Sequence, residues 1–104
     1  MENEKSRHAG KPVKTGNYCV YMLQCRDGTL YTGYTNDLPN RIRKHASGRG
    51  AKYTRGKGPL TLVYVRKFRL LGNALRTEKA IQKLPRKEKM LLVRGYSEKN
   101  PNQA

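Results

Sequence analysis

The sequence predicts an α+β fold, a small three-stranded antiparallel sheet flanked by helices in the order ββαβαα. Three observations predict it. Tyr18 to Cys25 and Leu30 to Thr35 are β-rich runs joined through Arg-Asp-Gly-Thr, which reads as a hairpin. Leu60 to Val65 is a third such run, set apart from the first two by a helical pattern. Apolar residues then return at helical spacing at Leu71, Ala74, Leu75, Ile81 and Leu84.

The hairpin register can be argued from parity. Paired residues in an antiparallel ladder share a face and keep a constant index sum, so Tyr21 and Tyr31 share a face only if that sum is even. A two-residue Asp27-Gly28 turn would pair Arg26 with Thr29 and separate the tyrosines. An odd loop or a bulge, such as Asp27-Gly28-Thr29, is therefore expected. Asn36 or Asp37 caps the first helix, Pro39 fits its first turn, and Leu38, Ile42 and Ala46 carry it to about Ser47, where Gly48-Arg49-Gly50 stops it. Ala51 to Pro59 reads as a flexible basic loop around Tyr53. After the third strand, which Arg66 to Arg69 continue or lead out of, Gly72-Asn73 opens a helix closed by Pro85. Arg86 to Val93 forms a last short helix ending at Gly95.

A chain of 104 residues is long enough for one domain. The folded part is expected at residues 17–96. Residues 1–16 form a disordered basic tail without apolar periodicity, and residues 97–104 a second, polar tail. No apolar run approaches the roughly 20 residues that span a bilayer, and the start lacks the apolar core of a signal peptide, so a cytoplasmic protein is expected. Cys19 and Cys25 have no partners at zinc spacing and read as reduced strand residues.

Charge narrows the function classes. Lys and Arg number 23 against seven acids, a net charge of +16, and no acid occurs between Asp37 and Glu78. Such a one-sign surface repels itself unless a polyanion neutralises it, which makes nucleic acid, DNA first, the expected partner. An anionic membrane is disfavoured, because no helix joins a basic face to exposed Trp or Phe.

Five residues suit phosphodiester chemistry. Glu78 lies on the apolar stripe of its helix with Ala74, Leu75, Ile81 and Gln82 around it, and a carboxylate facing a core must be paired, hydrogen-bonded, protonated or metal-bound. The competing reading is a core-edge ion pair with Arg41 or another base. Arg41 and His45 are four apart and emerge on one helix face, where Arg can clamp a phosphate and His can move a proton; the plainer alternative is a solvated basic face that includes Lys44. Tyr21 and Tyr31 are either core aromatics or hydroxyls in a site. Tyrosine is a poor base at its ordinary pKa of about 10 unless cations or a metal favour its phenolate, and this site is expected to offer such cations.

In order, Cys19-Val20-Tyr21, Tyr31-Thr32-Gly33, Arg41, His45 and Glu78 resemble the GIY-YIG nuclease superfamily. The longer strings Tyr-Cys-Val-Tyr-x-Leu-x-Cys, Tyr-Thr-Gly-Tyr-Thr-Asn-Asp, Arg-Ile-x-x-His and Gly-x-Gly-Ala-x-Tyr-Thr resemble its small stand-alone bacterial members and the nuclease module of structure-specific Holliday-junction and flap endonucleases. The first motif reads Cys-Val-Tyr rather than Gly-Ile-Tyr, and the second Tyr-Thr-Gly. The resemblance implies a metal-dependent DNA endonuclease, branch- or flap-selective, of DNA repair or recombination. Glu78 would hold one Mg²⁺ or Mn²⁺, Tyr21 would activate or orient water with His45 as a proton acceptor beside it, Arg41 would neutralise the transition state, and Tyr31 would order the site. Gly33 would let the backbone approach the phosphate, and Lys44, Lys52, Tyr53 and Arg55 are candidate DNA contacts. Which group is the base stays open. With no separate DNA-binding or zinc domain in the sequence, target choice is expected from this domain, a partner or DNA shape. Two other readings compete: a catalytically weak nucleic-acid-binding module on the same scaffold, and a basic RNA- or ribosome-associated protein, which leaves Glu78 unexplained.

Overall fold

Strand alternation decides which side chains reach the site. In this computed structural model, which describes residues 14–49 and 54–101, three strands form one antiparallel sheet. They are β1 (Thr15–Gln24), β2 (Leu30–Thr35) and β3 (Thr61–Leu70), in the spatial order β2-β1-β3. Helices α1 (Leu38–Ala46), α2 (Leu71–Gln82) and α3 (Arg86–Lys99) complete the expected ββαβαα order.

Tyr21 pairs with Gly33 and Leu23 with Tyr31, an even sum that puts both tyrosines on one face. The loop is odd, as parity requires, but it is Arg26-Asp27-Gly28 rather than Asp27-Gly28-Thr29. Thr29 stays in the ladder, its carbonyl accepting from the Cys25 N–H at 2.8 Å. Gly28 N–H closes the turn on the Cys25 carbonyl at 2.9 Å, and Gly28 sits at φ +87°, the left-handed position that ends a three-residue hairpin loop.

Central β1 is buried on both faces. Val20 and Met22, each 0% exposed, join Tyr64, Ala74 and Ile81 in a core covered by α2 and α3, and burying such a side chain contributes about 1.5–3 kcal/mol. Tyr21 and Leu23 point the other way, toward α1. On β3 the register shifts between Tyr64 and Leu62, leaving Val63 unpaired as a bulge. Both cysteines are free and buried.

Each helix has a local reason for its bounds. The Asp37 carboxylate caps α1 by accepting from the Asn40 N–H at 3.2 Å, and Gly48, at φ +80°, follows its end. Arg43 and Lys44 in its last turn suit the negative end of the helix dipole. α2 follows β3 directly and is tied to edge strand β2 by Gln82 Nε2, which donates to the Thr32 carbonyl at 3.2 Å. α3 does not stop at Gly95. Leu92, Val93 and Tyr96 still pack on the core, with the Tyr96 ring 6.1 Å from that of Tyr64, which outweighs the roughly 1 kcal/mol a glycine costs inside a helix. Secondary structure runs from Thr15 in β1 to Lys99 in α3. Among the described residues, no helix is long and apolar enough to cross a membrane.

Candidate active site

The tyrosine face of the hairpin and the last turn of α1 meet at one hydrogen bond. Tyr21, from the middle of β1, places its hydroxyl 2.9 Å from His45 Nε2, and the two residues are 1% and 2% exposed. The Tyr31 ring lies 5.2 Å from the imidazole and 6.2 Å from the Tyr21 ring, centroid to centroid. Three aromatic rings thus fill the angle between sheet and helix. Arg41, one turn before His45, acts electrostatically on Tyr21, Tyr31 and His45.

Gly33 is what lets these rings close up. It is buried opposite Tyr21, and a Cβ there would lie 2.7 Å from the Tyr21 hydroxyl oxygen and 3.0 Å from Tyr31 Cε2. Its glycine is explained by ring packing, and its position is under the tyrosines rather than on the surface. Gly33→Ala is expected to destabilise the domain by about 1–3 kcal/mol through overpacking, read from a urea midpoint, and to disturb the Tyr21–His45 contact. An unchanged midpoint would show that the rings can move aside freely.

Glu78 reaches the site across the β2 edge. It is one turn before Gln82, which bonds β2, and its charge acts on Tyr31. Burial raises the Glu78 carboxyl above its ordinary value, with Lys79 opposing. Among the described residues Glu78 makes no ion pair, so the Glu78–Arg41 pair of the competing reading does not form.

Burial also governs the other groups. It pushes the Tyr21 hydroxyl far above its ordinary value, with Tyr31 adding to the rise and Arg41 only partly opposing it. The expectation that cations would favour a Tyr21 phenolate is corrected here: desolvation outweighs the one nearby guanidinium, and Tyr21 is a phenol. Tyr31 is raised by burial and by Glu78, with Arg41 opposing. His45 is lowered from 6.5 by burial and then by Arg41, so it is neutral in the fold.

That shift has a sign. An unfolded chain binds a proton at His45 before the folded one does, so the stability it contributes is present above pH 6.5 and is lost as pH falls through 6.5 toward the folded value. Glu78, raised from 4.5, acts in the opposite sense at lower pH. The readout is therefore the difference in unfolding free energy between wild type and His45→Gln, which should shrink as pH is lowered from about 7.5 to about 5.5. A constant difference would place His45 in an ordinary solvated environment.

A divalent ion fits the donor set. Among the described residues no three of His, Cys, Asp and Glu cluster to form a protein cage. A single half-buried carboxylate whose charge is felt at Tyr31 suits Mg²⁺, which keeps most of its waters and takes one or two carboxylates plus phosphate oxygens.

The structure brings Tyr21, Tyr31, Gly33, Arg41, His45 and Glu78 together. Lys44 and Arg55 are exposed on the surrounding surface, while Lys52 and Tyr53 lie outside the described residues. Thr54 is a site residue that the sequence reading misses. It is 2% exposed, and its Oγ1 lies 2.8 Å from His45 Nδ1. The basic segment expected to be flexible is thus held at this point. Its one signal in the sequence is its place at the end of the Gly-x-Gly-Ala-x-Tyr-Thr string.

The class of protein follows from fold and comparison together. The GIY-YIG catalytic domain matches residues 17–91, and the chain belongs to the GIY-YIG family, a family of nucleases. It is 53% identical over 74 residues to a UPF0213 protein of Oceanobacillus iheyensis, covering 71% of this chain and 86% of that protein. A UPF0213 protein of Clostridium perfringens is 49% identical over 86 residues, covering 83% and 91%. Among solved structures, the solution NMR structure of a UPF0213 protein from Bacillus halodurans is 52% identical, covers 74% of this chain and 82% of its own, and superposes with a TM-score of 0.51. The protein EF2693 from E. faecalis is 34% identical over 82% of this chain and 91% of its own, with a TM-score of 0.56.

Proposed function

We propose that this protein is a metal-dependent DNA endonuclease that hydrolyses phosphodiester bonds, selective for branched or flapped DNA and working in the cytoplasm in repair or recombination. The observation that carries the reading is the buried Tyr21–His45 hydrogen bond at a site where the charges of both Arg41 and Glu78 are felt. Core aromatics need neither a neutral histidine on the phenol nor a half-buried carboxylate beside it.

Each residue has a task. Arg41 binds the scissile phosphate and offsets the charge that develops on it. The Tyr21 hydroxyl orients the attacking water and takes its proton as its own O–H proton passes to His45 Nε2, which is neutral and in hydrogen-bond reach. Tyr31 packs against both rings and keeps them in place. Glu78 holds Mg²⁺ or Mn²⁺, whose contribution when bound is Lewis-acid stabilisation of the phosphate. Lys44 and Arg55, both exposed, offer cationic contacts to the DNA, and Lys52 and Tyr53 are proposed as further contacts by their charge and ring chemistry alone.

The test is cleavage of labelled duplex, single-stranded, flap and four-way-junction DNA with Mg²⁺, with Mn²⁺ and with EDTA. Metal-dependent nicking, strongest on a branched substrate, is expected. Tight binding with no cleavage of any substrate would replace the enzyme by a nucleic-acid-binding module.

A further inference from the structure

His45 has two buried hydrogen bonds, and only one of them faces the tyrosines. Its Nε2 meets the Tyr21 hydroxyl at 2.9 Å and its Nδ1 meets Thr54 Oγ1 at 2.8 Å. The ring is held at both ends between β1 and the segment after α1. A neutral imidazole has one N–H and one lone pair, and the partner of one nitrogen decides which tautomer the other presents.

The two hydroxyls are not equivalent partners. A phenol is much the stronger acid and the better donor, while an aliphatic hydroxyl is the better acceptor. The lower-energy arrangement turns the lone pair of Nε2 toward Tyr21 and the N–H of Nδ1 toward Thr54. We propose that Thr54 is a positioning residue that fixes His45 in its Nδ1–H tautomer and so aims the Nε2 lone pair at the Tyr21 hydroxyl. The inference deepens the nuclease reading and rests on it for its catalytic consequence.

The position of Thr54 is built rather than incidental. Lys57 N–H bonds the Thr54 carbonyl at 3.1 Å, and the Lys57 carbonyl accepts from Arg26 N–H at 2.9 Å in the hairpin loop. Lys57 Nζ also pairs with Asp27 at 3.6 Å. The turn that carries Thr54 is thereby braced on the same hairpin that carries Tyr21, so one rigid unit sets both ends of the imidazole. A hydroxyl orients His45 without adding a negative charge, which would raise the basicity of the ring and repel phosphate.

The experiment is ¹⁵N-histidine NMR on the free protein, with single-turnover cleavage run beside it, for wild type, Thr54→Val and Thr54→Ser. The NMR arm needs no activity. Wild type and Thr54→Ser should show the Nδ1–H tautomer for His45, and Thr54→Val should lose it. In the cleavage arm, Thr54→Val should lower the maximal single-turnover rate constant about 10- to 100-fold, the loss seen when orienting partners of metal-bound histidines are removed, while the half-saturating protein concentration stays put and Thr54→Ser restores the rate. An Nε2–H tautomer in wild type, or a tautomer unchanged in Thr54→Val, overturns the proposal whatever the activity. The expected tautomers with a wild type inactive on every DNA would uphold the positioning of His45 and overturn the nuclease reading instead.

Discussion

Tyr21→Phe is expected to lower single-turnover cleavage by about 10²–10⁴-fold, the contribution of a positioned acid–base group, with little change in DNA affinity. The ring stays, so the packing against Tyr31 and over Gly33 stays with it. The hydroxyl alone is removed, and with it the partner of His45 Nε2. A nitrogen left unsatisfied on His45, a residue 2% exposed, should lower stability by about 1–3 kcal/mol, visible as a smaller urea midpoint with an unchanged slope. Undiminished cleavage together with that loss of stability would make Tyr21 a core tyrosine and nothing more. Loss of both fold and activity would point the same way, since a single buried hydroxyl should not unfold a domain with this core.

Glu78→Ala should have the larger effect on rate and the opposite effect on binding. Cleavage should fall by about 10³-fold or more, because the metal's several kcal/mol of transition-state charge stabilisation goes with its ligand. Affinity for DNA should hold or rise, since a negative charge leaves a cationic surface that receives phosphate. Stability should hold or rise as well, because burial already disfavours this carboxylate and no ion pair among the described residues is broken. Filter binding and urea titration on the same preparation separate the three effects. Wild-type activity in the variant would remove Glu78 from the site.

Local rules made some elements readable and left others hidden. The shared face of Tyr21 and Tyr31 could be read from parity, because strand alternation allows two outcomes and only one gathers the tyrosines. The bounds of α1 were equally legible, with Asp37, Pro39 and Gly48 each acting through its own backbone. α3 was misjudged at Gly95, because a local breaker competes there with the packing of Leu92, Val93 and Tyr96, which only the assembled sheet supplies. Protonation states were hidden for a similar reason. Counting cations around Tyr21 predicts a phenolate, whereas its pKa is set first by burial, a property of the whole fold. Thr54 is the clearest case. It meets His45 across a segment with no periodicity, and no spacing rule links the end of a helix to a hydroxyl nine residues on.

The most direct test of the central claim is the single-turnover rate of the preferred DNA substrate as Mg²⁺ is titrated into metal-free protein, with Glu78→Ala in parallel. A rate that climbs from baseline to saturation in wild type and stays at baseline in the variant is the predicted result. A rate indifferent to Mg²⁺ and to EDTA, or the same metal response in both proteins, would contradict the account.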